Sequence, residues 1–221
     1  MLKLAWKDLY ANRSQLLLPI GFAGAVLVIA VVSRRSDALM FVDSLMGTYS
    51  MLIGPFFALA SMMLEEKNRT LGFLRTMPVN AGEIVASKFV STLAATAILA
   101  VSFIGLSTLS AEAFPAWEGR SWSMLGITMS MFVSLAEAGV ALGISFKWGT
   151  SAARAAIMVM VTLFYLGPIV VLRKGASIED IFRMITNPDA RTALIVAAVS
   201  LAIYFAEMLV AQELFRRKEI A

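Results

Sequence analysis

Two glutamates inside apolar segments are the residues whose position most directly suggests chemistry. Glu137 and Glu207 each stand about fifteen positions beyond the start of an otherwise uncharged stretch. If both stretches are membrane helices, a rise of ~1.5 Å per residue puts the two carboxylates at similar depth. An ionised carboxylate is costly in a bilayer, so each should face protein or water. The pair could relay protons or line a translocation path, or each could be a structural partner of Arg154, Lys88 or a polar neighbour.

Two missing residue types exclude most other chemistry. The chain has no histidine and no cysteine, so a Ser–His or Cys–His nucleophilic site cannot form and thiolate metal sites are excluded. The stretch from Gly143 to Thr150 lacks the glycine spacing and the lysine of a phosphate-binding loop. Basic residues are scattered rather than clustered, which argues against nucleic-acid binding. We therefore expect a protein that is not an enzyme and that itself binds no ATP, metal or other cofactor.

The composition indicates which elements hold the two glutamates. Of the 221 residues, 59% are hydrophobic and 15% are charged, and the mean hydropathy is +0.80. Soluble domains have ~45–50% apolar and about 25% charged residues. A soluble domain of this size could not bury such an apolar excess. We predict an all-α integral membrane protein.

The charged residues divide the chain into six apolar segments, each long enough to cross a bilayer as a helix. An even number of spans puts both termini on one side of the membrane. That side carries twelve of the Lys and Arg residues and the other side carries seven, which favours cytoplasmic termini. We predict a single transmembrane domain over residues 1–221. Its spans are predicted at about 14–33, 39–64, 89–111, 121–146, 155–172 and 192–212.

Two short amphipathic helices are predicted outside the spans. An N-terminal helix would carry Lys3 and Lys7 opposite an apolar face, as in helices that lie in the membrane interface. That face consists of Leu2, Ala5, Trp6, Leu9 and Tyr10. The external loop between spans five and six has an apolar stripe typical of a helix lying on the membrane surface. The stripe consists of Ile178, Ile181, Phe182 and Ile185.

The longest cytoplasmic connection, which we call the elbow (residues 65–88), joins spans two and three. Its apolar side chains recur at helical spacing up to Pro78, which should end a short helix. Asn80 and Glu83 then have the spacing of a capping box, which predicts a new helix from near Ala81. A purely solvated loop would not need the apolar residues, so the elbow suits docking on a cytoplasmic partner.

The order of these elements resembles the membrane subunit of a type-2 ABC exporter, in its short-loop bacterial branch. The sharpest local similarity is a T-L-x-x-L-x-x-x-P-V stretch followed by an E-I-V-x-x-K run into span three. In this chain the matching residues are Thr70-Leu71, Leu74, Pro78-Val79, Glu83-Ile84-Val85 and Lys88.

The resemblance implies a non-catalytic permease in a bacterial plasma (inner) membrane. A second permease copy, or a paralogue, would complete a translocation path for an amphipathic peptide, drug or lipid-like molecule. A pair of separate ATPase subunits would bind ATP and Mg and dock on a coupling helix in the elbow. The implied coupling residues are Glu66, Arg69, Thr70, Leu71, Phe73, Leu74, Arg75, Met77 and Pro78.

Other readings stay open at this point. A proton-coupled secondary carrier would use Glu137 and Glu207, although such carriers often show internal repeats and broken helices, and neither is evident in the sequence. A haem-exporter permease of cytochrome c maturation has a similar size and number of spans. A membrane scaffold that transports nothing is a third possibility.

Overall fold

The computed structural model describes residues 2–33, 36–68, 80–113, 124–172 and 188–220, and these are helical apart from short turns. The predicted all-α class is thereby confirmed. The helices are α1 (Leu2–Ala11), α2 (Arg13–Ser33), α3 (Ser36–Lys67), α4 (Ala81–Ala113), α5 (Met124–Trp148), α6 (Thr150–Leu172) and α7 (Ala190–Ile220).

Three of the described helices are long and apolar enough to cross a membrane, over Gly82–Leu109, Met124–Trp148 and Ala190–Arg217. Helices α1 and α2 meet at a 51° bend and pass the same criterion as a pair. Each of the six predicted segments overlaps a different helix, and the six-span arrangement itself stays a prediction.

Helix α5 is the centre of the bundle. In the most apolar 18-residue stretch of α5, 61% is buried inside the protein, compared with 17% in the corresponding stretch of α7. It packs against α3, α4, α6 and α7. Small residues allow the closest approach: a Cβ added at Gly54 of α3 would lie 2.4 Å from the carbonyl oxygen of Ser134 in α5. The Gly54 N–H also donates to Ser134 Oγ at 2.8 Å, so this crossing is both tight and hydrogen-bonded.

The two termini and the ends of the elbow lie at one end of the bundle. Leu4 packs against the same apolar cluster as Ile84 and Phe215, so α1, the start of α4 and the end of α7 meet there. Helix α4 begins at Ala81, as predicted, and the carbonyl of Asn80 accepts the first helical hydrogen bonds. At the same end Gly149, with φ of 89°, reverses the chain between α5 and α6.

The last helix begins after a turn that its sequence caps. Asp189 Oδ2 accepts a hydrogen bond from the backbone N–H of Thr192 at 3.2 Å. Hydrogen bonds from Thr192 lower the pKa of Asp189 below its usual value. The preceding segment, which includes the predicted external helix, lies outside the described residues.

Candidate functional site

Most of the predicted coupling residues lie outside the described residues, which resume at Asn80 after Asn68. Those outside are Arg69, Thr70, Leu71, Phe73, Leu74, Arg75, Met77 and Pro78. Glu66 is described: its carboxylate accepts a hydrogen bond from the hydroxyl of Thr150, the first residue of α6. This bond joins the end of α3 to the start of α6 beside the elbow.

A buried ion cluster holds together the two ends of the elbow, which are the end of α3 and the start of α4. Lys88, eight residues into α4, places Nζ 2.9 Å from Asp8 Oδ1 of α1 and 2.7 Å from Glu65 Oε1 of α3. It also donates to Ser61 Oγ at 2.8 Å. An ammonium has three N–H donors, and these three acceptors use all of them. One lysine thus connects three helices.

The cluster is charge-balanced and largely removed from solvent. The side chains of Lys88, Asp8 and Glu65 are 2%, 4% and 5% exposed. Lys7, which is half-exposed, lies 3.0 Å from Glu65 Oε1 and 3.5 Å from Asp8 Oδ1. Two cations therefore oppose two anions. Burial of charge is tolerated only with such pairing, and loss of one member would leave an uncompensated buried charge.

The sequence does not reveal this cluster, and it offers Lys88 only as a candidate partner of Glu137 or Glu207. In the structure the donors of Lys88 are used by Asp8, Glu65 and Ser61. Ala5, Asp8 and Asn12, the residue after α1, are spaced at i, i+3 and i+7, and all three are buried. That spacing is the sequence signal that puts the Asp8 carboxylate on one face with two other residues.

Helix α1 uses that face to attach to the bundle and turns its aromatic face outward. Leu2, Trp6 and Tyr10 are 73%, 69% and 60% exposed, while Ala5 and Asp8 are buried against the protein. The guanidinium of Arg13 stacks over the Tyr10 ring at 4.5 Å. Exposed aromatic and aliphatic residues beside basic ones suit a helix in the membrane interface.

The two intramembrane glutamates lie on different sides of α5. Glu207 of α7 packs against the G-x-x-x-G motif: a Cβ at Gly143 would lie 3.0 Å from Glu207 Oε2, and one at Gly139 would lie 3.4 Å from Glu207 Cβ. Glu137 stands two residues before Gly139, which is about 200° around the helix. The α5–α7 interface therefore does not bring the two carboxylates together.

A cleft of about 970 Å³ opens between the α1–α2 bend, α3 and the start of α6. One end is polar, where α3 ends and α6 begins, and the rest is lined by apolar residues of α2 and α3. Sequence reasoning gave no indication of this cleft, since its walls come from four separate helices.

One comparison with known proteins, that with family profiles, agrees with a membrane transport role. The profile of a family described as "ABC-2 family transporter protein" matches residues 3–216. A comparison with curated proteins gave no match. The family match confirms the resemblance drawn from the element order and the residues between Thr70 and Lys88. The chain therefore belongs to the ABC-2 family of transporter proteins and is a multi-pass membrane permease of an ABC transporter.

Proposed function

We propose that this permease is the membrane subunit of an ATP-driven exporter, coupled through the elbow to a separate pair of ATPase subunits. The family match supports a permease role, and permeases of this family normally work with an ABC ATPase. The chain would pair with a second copy or a paralogue in a bacterial inner membrane, with six spans and both termini in the cytoplasm. Its cargo would be an amphipathic peptide, a drug or a lipid-like molecule.

One observation carries the coupling role. The elbow begins in the last turn of α3 and ends in the first turns of α4. Its first and last residues, Glu65 and Lys88, are joined in the ion cluster with Asp8. A force on the elbow would meet a rigid junction and not two independent helix ends. The apolar residues between the two ends of the elbow, including Leu74, would anchor the elbow in a groove of the ATPase.

The same contacts suggest which helices would move when the ATPase pushes on the elbow. Lys88 and Glu65 belong to α4 and α3, and the Glu66–Thr150 hydrogen bond adds α6. Because Asp8 also ties α1 to Lys88, closure of an ATPase pair would displace four helices as a unit. Such a rigid-body motion opens or closes a path between helices without unfolding them.

Replacement of Leu74 with Asp tests the coupling role. We expect Leu74→Asp to release the ATPase from the purified complex and to abolish ATP-dependent transport, because a charge would enter an apolar docking contact. The permease should still insert, since the elbow lies outside the bilayer in this topology. Ile220→Asp puts the same charge at the C-terminal end of α7, outside the elbow, and should retain the ATPase. Co-purification measures both, and unchanged retention in Leu74→Asp would refute the docking role.

A further inference from the structure

The cleft between α2, α3 and α6 has the shape of an elongated ligand site. Its volume of about 970 Å³ lies at the upper end of the roughly 300–1,000 Å³ of small-molecule pockets. Along α3 its lining runs from Tyr49 to Lys67, which corresponds to about 27 Å at the helical rise per residue. A lining that extends over this length suits a single extended chain better than a compact molecule.

The residues that line the cleft change from apolar to polar along this length. The body of the cleft is lined by Leu18 and Pro19 of α2 and by Ile53, Phe56 and Met63 of α3. Phe56 and Leu18 are 48% and 68% exposed, so an apolar surface faces into the open cleft. Covering that surface with a hydrocarbon chain would be favourable by the usual hydrophobic term.

The end of the cleft nearest the elbow is polar and carries an excess of positive charge. Lys67 and Arg154 line it, against one carboxylate among the lining residues, Glu66. The Glu66 carboxylate already accepts a hydrogen bond from the hydroxyl of Thr150. A guanidinium and an ammonium at one mouth can both bind a phosphate or carboxylate, and the guanidinium can do so with two hydrogen bonds.

We infer that this cleft binds a single-chain amphiphile with an anionic headgroup. Arg154 and Lys67 hold the headgroup, and the chain lies along α3 toward Tyr49. The ligand enters from the membrane leaflet at the elbow end of the bundle. This inference deepens the proposed function by naming the class of cargo, and it rests on that function only for the claim that the bound molecule is exported.

Native mass spectrometry of the full-length permease in neutral detergent tests the binding step without any ATPase. The probes are lysophosphatidylglycerol and lysophosphatidylcholine of equal chain length, offered together at equal concentration. We expect the anionic lysolipid to be retained in preference to the zwitterionic one. Arg154→Gln should weaken its retention about tenfold, the effect of losing one charge-assisted hydrogen bond. Arg154 is exposed, so this change does not threaten folding.

Two further variants separate the headgroup from the chain. Arg216→Gln removes an exposed cation at the same end of the molecule, outside the cleft, and should leave retention unchanged. Ala60→Phe adds bulk to the wall of the cleft and should reduce the retention of both lysolipids. Inorganic phosphate in excess should not displace the bound lysolipid, because the chain supplies part of the affinity.

Several results would overturn the inference. Equal retention of the two lysolipids, or unchanged retention in Arg154→Gln, would show that the cleft does not recognise an anionic headgroup. Displacement by inorganic phosphate would make the site one for a free anion. Efficient disulfide formation between two copies of Met63→Cys, with loss of lysolipid binding, would show that a second copy fills the cleft. If any of these results occurs and the protein still exports another cargo with ATP, the proposed function stays intact. If the anionic lysolipid binds selectively but no ATP-driven transport is found, only the proposed function is refuted.

Discussion

At the scale of single residues, the most consequential side chain is a lysine buried among carboxylates. Lys88 pairs with both Asp8 and Glu65, whose side chains are 4% and 5% exposed. Removing the ammonium would leave two anions in a low-dielectric environment beside the half-exposed Lys7. Loss of one partner from a buried ion pair costs about 3–5 kcal/mol. Few single changes in a protein of this size would cost more.

We predict that Lys88→Met lowers the thermal unfolding midpoint of the purified permease substantially. Lys3→Met removes a cation from the exposed side of α1 and should leave the midpoint nearly unchanged. A triple variant that also carries Asp8→Leu and Glu65→Leu should recover much of the loss, because apolar replacements can substitute for a whole buried ion cluster. An unfolding midpoint of Lys88→Met equal to that of the wild type would contradict the role given to the cluster.

Sequence reasoning identified the intramembrane glutamates but not their surroundings. An acidic residue in an apolar run is visible in the sequence, whereas its neighbours depend on how helices far apart in the chain face one another. The contact of Glu207 with Gly143 is of this kind, since 64 positions separate them. Asp8 is a second case: it is almost fully buried, because the partners that bury its carboxylate lie on α3 and α4.

At the scale of helices, the sequence predicts most of the described helices because they have local signals. The start of α4 at Ala81 follows from the predicted cap at Asn80, and each of the six apolar segments overlaps a different helix. The packing of helices against one another has no such signal. G-x-x-x-G motifs are frequent in apolar helices by chance, and only the structure shows that Gly139 and Gly143 contact α7.

The crossing of α3 and α5 gives a prediction at this scale. A Cβ at Gly54 would lie 2.4 Å from the backbone oxygen of Ser134, and a backbone atom cannot move aside as a flexible side chain can. We expect Gly54→Ala to destabilise the protein by about 1–3 kcal/mol, the usual cost of overpacking. Thermal unfolding of the purified protein measures it.

Gly24→Ala provides the matched control for that change. A Cβ at Gly24 of α2 would meet nothing within 4 Å, so the same substitution should be neutral or slightly stabilising. Equal unfolding midpoints for the two variants would mean that the α3–α5 approach is less tight than the structure indicates.

At the scale of the whole molecule, the outer surface of the described helices is strongly apolar. Val28 of α2 and Met158 of α6 are 62% and 71% exposed. Such residues face either lipid or a second permease. We predict that cysteines placed at these positions cross-link two copies in native membranes, on a background without any native cysteine. If cysteines along both helices yield only monomer, the proposed pairing is wrong.

The source of energy is the broadest question about the molecule, and Glu137 and Glu207 supply its test. Glu207 packs against Gly143 at the α5–α7 interface, while Glu137 lies about 200° around α5 from Gly139. Carboxylates on different sides of one helix are poorly arranged to pass a proton between them. In an ATP-driven exporter they hold helices or water, so neither charge is needed for the transport step.

We therefore expect Glu137→Gln and Glu207→Gln each to insert and to retain most ATP-dependent transport in vesicles that contain the ATPase subunits. A proton-coupled carrier predicts the reverse: either variant would lose transport, and cargo would follow an imposed pH gradient after ATP depletion. The decisive measurement compares cargo flux with and without ATP at matched pH on the two sides. Depletion of ATP should stop the flux in the wild type and in both variants. A flux that persists without ATP and disappears in Glu137→Gln would replace the exporter with a proton-coupled carrier.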